Sequence, residues 1–426
     1  MASAALACFL ERRLAVLRRP WFPALVGAVV LAALVVELVE GGQLATLFDG
    51  GFSQDRFALF AKAALLFTAL LVVLAGDWRE LGVTSVGLTL LAAFGGMVAA
   101  SATDLVTLWT GLQLAVLASI AAVGLADPAA GRRLLPALGA LAALLALGMA
   151  LAAAGAGSTV LGTLRTSLVT PLALPLAIAV LLVIGGLLAQ LGLAPVLGPL
   201  ATGAAGIVLL KFVGAVSGVA VAWTGLIPAL AALAMVVAAL GAVAGGPARS
   251  ILGWAGLLQL GWIVAGIAGG SRLALGTSLF LFGAYLVASA AAPLALGDTP
   301  HGLAGLAERS AVRAAGFAIC LLSLAGIPPL AGFFGEFAVA SQLVRSGLFW
   351  LVAVGYFATA MVGFAVLRDL RLVFLASSGE QVQRVPHGRL AMAGASVAAV
   401  VVIAYVLFAN PISGLAVQGA AVVGLR

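Results

Sequence analysis

The sequence predicts an all-α protein, a polytopic bundle of about thirteen transmembrane helices. Of the 426 residues, 64% are hydrophobic and only 8% are charged, and the mean hydropathy is +1.26. A soluble domain cannot bury that much apolar surface. The arginines fall in short clusters between long apolar runs, and this arrangement indicates how the chain is threaded through a membrane.

The same composition excludes a soluble enzyme, and the clustered arginines argue against nucleic-acid binding despite a formal charge of +7. Cys8 and Cys320 are far apart in apolar context, so neither a disulfide nor a metal site is expected. His301 and His387 stand alone in polar loops and are interpreted as solvated side chains. The N-terminal apolar run is too long for a signal peptide and is interpreted as a retained first span.

Each predicted span is an apolar run bounded by charged, Gly-rich or Pro-containing segments. In order they are about Trp21–Val39, Phe57–Leu74, Leu81–Ala100, Asp104–Leu125, Leu134–Ala154, Leu172–Leu193, Thr202–Trp223, Ile227–Val243, Ile251–Ala268, Leu275–Leu296, Ala315–Leu343, Phe349–Leu367 and Met392–Phe408. Residues 1–20 are assigned to a cytoplasmic N-terminal segment, 21–410 to the transmembrane domain and 411–426 to a C-terminal tail.

The arginines test this topology, because cytoplasmic loops carry the excess of positive charge. Thirteen spans with the N-terminus inside place 14 arginines inside and 5 outside, and the two counts account for all 19 arginines of the chain. The excess supports a cytoplasmic N-terminus and an external C-terminus.

The eleventh span contains the strongest local signal. Gly326, Pro328 and Pro329 interrupt an apolar run, and proline cannot continue a helix without losing a backbone hydrogen bond. Seven residues after Pro329 comes Glu336, a carboxylate in an apolar segment. Because an ionisable group costs several kcal/mol inside a membrane, a charge beside a broken helix predicts an ion site.

Only two lysines exist, and both fall inside apolar runs. Lys211 lies mid-span and is predicted to face a polar cavity. Lys62 either has a similar role or extends its amine to the membrane interface. A buried lysine can release its proton near neutral pH whereas arginine stays charged, so both are candidates for proton transfer.

The stretch SLAGIPPLAGFFGEF resembles the broken helix of the antiporter-like membrane subunits of bacterial NADH-quinone oxidoreductase, the respiratory complex I family, and most closely its subunit N. The likeness extends over nearly the whole chain after about residue 45. It implies an antiporter-like fold with inverted repeats and broken helices, and a proton-translocating subunit of the bacterial inner membrane. Quinone, FMN and iron–sulfur clusters would belong to partner subunits of the membrane arm and quinone module, with no cofactor in this chain.

The resemblance also assigns the polar residues. The family is thought to move protons along buried charges, and Lys211 and Glu336 match two of its positions. Lys62 matches a position that is often basic, and Gln259 one where His is common. Gln113 and Gln190 stand where the family usually has Glu and Lys. Replacing only one of the two charged residues would leave the other as an unpaired buried charge. Replacing both avoids that cost, which suggests that the two side chains face each other.

Three functions remain open at this point. The first is a translocase subunit whose relay is shortened to Lys211 and Glu336. The second is a structural subunit whose proton channel has decayed, motivated by the neutral Gln113 and Gln190. The third is a cation/proton antiporter or hydrogenase-linked subunit of the same fold. Asp104, at the outer end of the fourth span, either ends a proton exit or caps its helix.

Overall fold

The computed structural model describes residues 22–40, 45–75, 78–167, 174–216, 225–246, 250–296, 303–376 and 389–423. The predicted N-terminal segment 1–20, together with Cys8, His301 and His387, lies outside these residues. What the structure describes is almost entirely helical, with one small antiparallel sheet.

The helices are α1 Phe22–Glu40, α2 Arg56–Ala75, α3 Trp78–Ser101, α4 Leu105–Ala126, α5 Pro128–Ala156, α6 Leu161–Ser167, α7 Leu174–Gly192, α8 Ala194–Ala215, α9 Ile227–Ala244, α10 Ser250–Ala268, α11 Arg272–Leu296, α12 Leu306–Arg309, α13 Ala311–Leu324, α14 Ala331–Arg345, α15 Phe349–Leu375, α16 Arg389–Leu407 and α17 Ala409–Val423. The strands are β1 Ala45–Leu47 and β2 Phe52–Gln54.

Within the described residues, nine helices are long and apolar enough to cross a membrane, or ten if the bent pair α16–α17 counts as one span. Segments 24–39, 178–191 and 311–324 are shorter apolar helices. A multi-span helical bundle is therefore confirmed, while the number of about thirteen spans stays a prediction. Most residues assigned to the C-terminal tail belong to helix α17, which packs against α11 and α2.

Besides the bend between α16 and α17, the described residues contain two helical segments that are broken inside the bundle. Helix α13 ends at Leu324 and α14 begins at Ala331, so the chain leaves helical geometry across the predicted Gly-Ile-Pro-Pro stretch. A second break lies within α8 at Gly198, whose φ of 79° and ψ of 174° are far from helical values and which precedes Pro199. The predicted end of a span at Leu193 agrees with the end of α7 at Gly192. The next helix begins at Ala194 rather than at Thr202, and it continues on both sides of the kink.

The β1–β2 hairpin closes one end of the bundle, together with residues 102–104 and 158–160; we call this the hairpin end. Phe52 pairs with Ala102, and Asp104 pairs with Val160. Strands of three residues give little alternation in sequence, which is why the hairpin was not predicted.

Helix α11 lies at the centre of the second half of the bundle, where it packs against α10, α13, α14, α16 and α17. It also contacts α8 and α2, and so joins the two halves. In the membrane-length segments of α8 and α11, 89% and 83% of the residues are buried inside the bundle. In that of α5 only 22% are buried, so α5 faces outward. The buried helices α8, α10 and α14 hold Lys211, Gln259 and Glu336, three of the polar residues singled out by sequence.

Two arginines bind the carboxyl ends of helices in this core. Arg368 donates from both terminal guanidinium nitrogens, at 3.2 Å to the carbonyl of Val243 and at 3.3 Å to that of Ala242, at the end of α9. Arg313, which is buried, donates to the carbonyls of Ala295 and Leu296 at the end of α11. Carbonyls in the last turn of a helix lack the usual partner from the next turn, so a guanidinium stabilises each helix end.

Candidate functional site

Glu336 is completely buried, at 0% exposure, on the second turn of α14 just after the helix break. Its carboxylate accepts two side-chain hydrogen bonds. Gln259 Nε2 donates to Oε1 at 2.7 Å, and the Thr359 hydroxyl donates to Oε2 at 3.0 Å. Donors on two neighbouring helices therefore fix both carboxylate oxygens, which is the arrangement a buried acid requires.

Gln259 couples the carboxylate to the broken helix. It is the middle residue of α10, which has 19 residues, and it is 1% exposed. Its Nε2 also donates at 3.0 Å to the carbonyl of Leu324, in the last turn of α13. Helix-terminal carbonyls have no partner within their own helix. The break thus supplies the acceptor that orients Gln259 toward Glu336.

Thr359 was not identified from the sequence. Its hydroxyl accepts a 3.0 Å hydrogen bond from the indole nitrogen of the fully buried Trp262 while donating to Glu336. Because the indole is only a donor, the threonine proton has to point at the carboxylate. A hydroxyl in an apolar helix gives little signal in a sequence, since threonine often bonds its own helix backbone.

Gly326 makes room for the acid. A Cβ built on Gly326 would lie 2.2 Å from Glu336 Oε1, and the φ of this residue is +68°. Only glycine fits both the left-handed backbone and the close approach. The predicted break and the predicted acid therefore form one structural unit.

Lys211 is 8% exposed and lies four residues before the end of α8. Its amine donates at 2.7 Å to the carbonyl of Ala102 and lies 5.6 Å from the centroid of the Phe57 ring. The sequence analysis placed Lys211 mid-span; in the structure its amine reaches the hairpin end. The amine is surrounded by protein.

Lys62 and Asp104 both lie at this end. The amine of Lys62 donates at 2.5 Å to Gln54 on strand β2, which holds it toward the hairpin. Asp104 caps helix α4, accepting from the backbone nitrogens of Val106 and Thr107 at 2.9 Å each. The capping alternative accounts for the Asp104 carboxylate. The Lys211 amine does not bond Asp104 but the backbone carbonyl of Ala102, two residues before it.

Gln113 and Gln190 are buried, at 8% and 2% exposure. Gln113 Nε2 and Gln190 Oε1 have no hydrogen-bond partner, so this donor and this acceptor are not joined. Gln259 Oε1 also lacks a partner. Buried amide atoms without protein partners are typical binding points for internal water.

Tyr285 lies between the two charged positions. It is 4% exposed on α11 and makes side-chain hydrogen bonds with Thr202 and Ser289. Thr202 in turn bonds the carbonyl of Gly198 at the break in α8, and Gly256, one turn before Gln259, packs on the Tyr285 ring. Tyr285 therefore connects the lysine half with the glutamate half. Among the described residues, no group of three or more His, Cys, Asp or Glu side chains could hold a metal ion.

Residues 102–362 match the model of a family described as NADH:quinone oxidoreductase/Mrp antiporter, TM. NADH-quinone oxidoreductase subunit N 2 of Roseiflexus castenholzii is 30% identical over 88% of this chain and 85% of its own length. Among solved structures, a chain of respiratory complex I from Thermus thermophilus has a TM-score of 0.80 at 23% identity, covering 97% of both chains.

A chain of the Mrp complex from Dietzia sp. has a TM-score of 0.84 at 19% identity, covering 99% of this chain and 95% of that one. Both structural likenesses concern the fold, and they extend across both halves of the bundle and both breaks. The antiporter-like fold predicted from the sequence is thereby confirmed. The family model spans more than half of the sequence, so the chain belongs to the NADH:quinone oxidoreductase/Mrp antiporter transmembrane family.

Proposed function

We propose that this chain is a proton-translocating membrane-arm subunit of an NADH-quinone oxidoreductase complex, which couples quinone reduction to proton transport. The observation that carries the proposal is Glu336, a fully buried acid held by two donors beside a broken helix. Such a group costs several kcal/mol at membrane depth and has no evident structural task. The name carried by the relatives, NADH-quinone oxidoreductase subunit N, supports the same assignment.

In this proposal Lys211 and Glu336 each bind and release a proton. Lys211 serves the hairpin end and Glu336 the middle of the second half. Tyr285 and Thr202 lie on the way between them, and the unpaired atoms of Gln113, Gln190 and Gln259 are suited to hold water along the path. The glutamines carry no titrating proton, so they orient rather than exchange protons.

The chain acts as a non-redox subunit in this proposal. Quinone, FMN and iron–sulfur clusters belong to partner subunits of the membrane arm and quinone module. The chain resides in the bacterial plasma membrane with its N-terminus cytoplasmic and its C-terminus outside, as the arginine distribution predicts.

The test is proton translocation per electron by the assembled complex in membrane vesicles carrying Lys211→Ala or Glu336→Gln. Both variants are expected to lower the ratio, while Ser341→Ala, at a partly exposed position on the same helix as Glu336, leaves it unchanged. An unchanged ratio in the first two variants would refute the relay and favour a structural subunit, the reading suggested by the neutral Gln113 and Gln190.

Co-purification separates the complexes. Quinone-site and iron–sulfur subunits are expected to accompany this chain. Small hydrophobic antiporter subunits in their place would instead identify it as a cation/proton antiporter component of the same fold.

A further inference from the structure

Three side chains form a hydrogen-bonded row at the hairpin end. The amine of Lys62 on α2 donates to Gln54 Oε1, and Gln54 Nε2 donates to Glu37 Oε1 on α1, each at 2.5 Å. All three side chains are partly exposed, whereas Lys211 is nearly buried. The row is therefore more exposed than Lys211 is.

Lys62 and Lys211 differ in the charged groups that lie near them. Asp55 and Lys62 are close enough to act electrostatically on Lys211, and Glu37 and Asp55 act on Lys62. The two ammonium groups repel each other, so charge on one disfavours charge on the other. Lys62 has two carboxylates and more solvent around it, which makes it the better place for a proton that leaves Lys211.

The backbone keeps the two lysines together. Asp55 caps the start of α2 by accepting from the Ala58 nitrogen at 2.8 Å, and Phe57 in the first turn lies under the Lys211 amine. The carbonyl that Lys211 bonds belongs to Ala102, which pairs with Phe52 of the hairpin. One short stretch, residues 52–62, therefore contributes to both lysine environments.

We propose that Lys62, held by Gln54 and Glu37, is the port through which Lys211 exchanges protons with the solution at the hairpin end. The Lys62 ammonium releases its proton to solvent and then takes one from Lys211, so one proton crosses in each cycle. Gln54 holds the amine in place, and Glu37 stabilises the charged form. This inference rests on the proposed translocation and adds the site at which the path meets water.

The first test is chemical access and does not depend on pumping. Lys62→Cys and the matched control Ala63→Cys, at the neighbouring partly exposed position, are made in complex in which both native cysteines are alanine. A positively charged thiol reagent added to the hairpin side of sealed vesicles should modify Lys62→Cys about a hundredfold faster, because Ala63 packs against apolar side chains and a charged reagent pays heavily to enter such surroundings. Equal rates at the two positions, fast or slow, would overturn the port.

The second test separates proton exchange from a structural bond. Lys62→Arg keeps the positive charge and a donor for Gln54, but an arginine cannot release its proton in a protein. Translocation through this chain should fall about a hundredfold in both Lys62→Arg and Lys62→Met, the lower end of what a positioned proton donor contributes. The control Arg56→Lys, at the exposed start of the same helix, should leave it unchanged.

The outcomes distinguish the two proposals. Normal translocation in Lys62→Arg, with loss in Lys211→Ala, would overturn the port and leave the proposed function standing. Normal translocation in Lys211→Ala and Glu336→Gln would remove the proposed function, whereas the access test would still decide whether Lys62 faces water.

Discussion

Gly326→Ala should both destabilise the chain and stop translocation. Two penalties follow from the structure: the φ of +68° and a Cβ placed 2.2 Å from Glu336 Oε1. A left-handed backbone costs an L-residue about 1–2 kcal/mol, and forcing an extra carbon into filled space costs about 1–3 kcal/mol. The expected total is about 2–5 kcal/mol.

Gly347→Ala is the matched control. The φ of Gly347 is +77°, and a Cβ there would meet nothing within 4 Å, so only the backbone penalty applies. The difference between the variants isolates the contact with Glu336, about 1–3 kcal/mol. Losses of this size change the cellular abundance of a protein several-fold, which immunoblots of the assembled complex would measure beside dye-monitored proton uptake by vesicles.

The reasoning is wrong if Gly326→Ala and Gly347→Ala accumulate and translocate equally. A double substitution gives a second check, since Glu336→Ala removes the carboxylate that the new methyl would meet. Residues in direct contact couple by about 0.5–3 kcal/mol. Gly326→Ala should therefore reduce abundance less in the Glu336→Ala background than in the native one.

Two further outcomes are expected. Thr359→Val keeps the side-chain shape but removes the donor to Glu336 and the acceptor of Trp262; a bond to an ionised group is worth about 1.5–3 kcal/mol. Translocation should therefore fall in Thr359→Val and persist in Thr359→Ser, and equal behaviour would contradict this. The backbone nitrogens of Ala130 and then Ala129 hold the pKa of Asp127 below its usual value. The stabilisation from ionised Asp127 is complete above the pKa that this carboxyl has in the unfolded chain. It is lost as the pH falls through the lower pKa of the folded chain. Asp127 caps helix α5, and Asp127→Asn keeps this cap without a titrating group. Thermal unfolding of the solubilised complex should therefore lose part of its acid sensitivity below about pH 4.

The fold could be predicted from the sequence because the patterns that indicate it are local. Length of apolar runs, arginine clusters and the Pro328-Pro329 pair each act on neighbouring residues, and the chain breaks where they predict. The break in α8 was missed although Pro199 follows Gly198, since a single kink interrupts little of the apolar pattern. The depth of Lys211 depends on where its helix ends, and apolar composition alone does not mark that end.

The site was predicted only in part, because its geometry depends on contacts between distant residues. Glu336 stood out as a charge in an apolar run, and Gln259 came from the resemblance. Their hydrogen bond joins residues 77 positions apart. Thr359 carries no such signal, since its role depends on Trp262 and Glu336 being on either side of it. The expected pairing of Gln113 with Gln190 was drawn from charge balance, and their two unpartnered atoms do not bond each other.

Arg313 and Arg368 are among the 14 arginines that the predicted topology places inside, and the guanidinium of each binds the last carbonyls of a helix. If the predicted topology holds, one side chain has two tasks, retaining a loop during membrane insertion and binding a helix end in the folded bundle. A lysine would satisfy the insertion rule equally well but lacks the planar fork that engages two carbonyls at once. On the predicted topology, the same residues would encode both the orientation in the bilayer and the stability of the folded bundle, which suits a chain whose loop cations are all arginine.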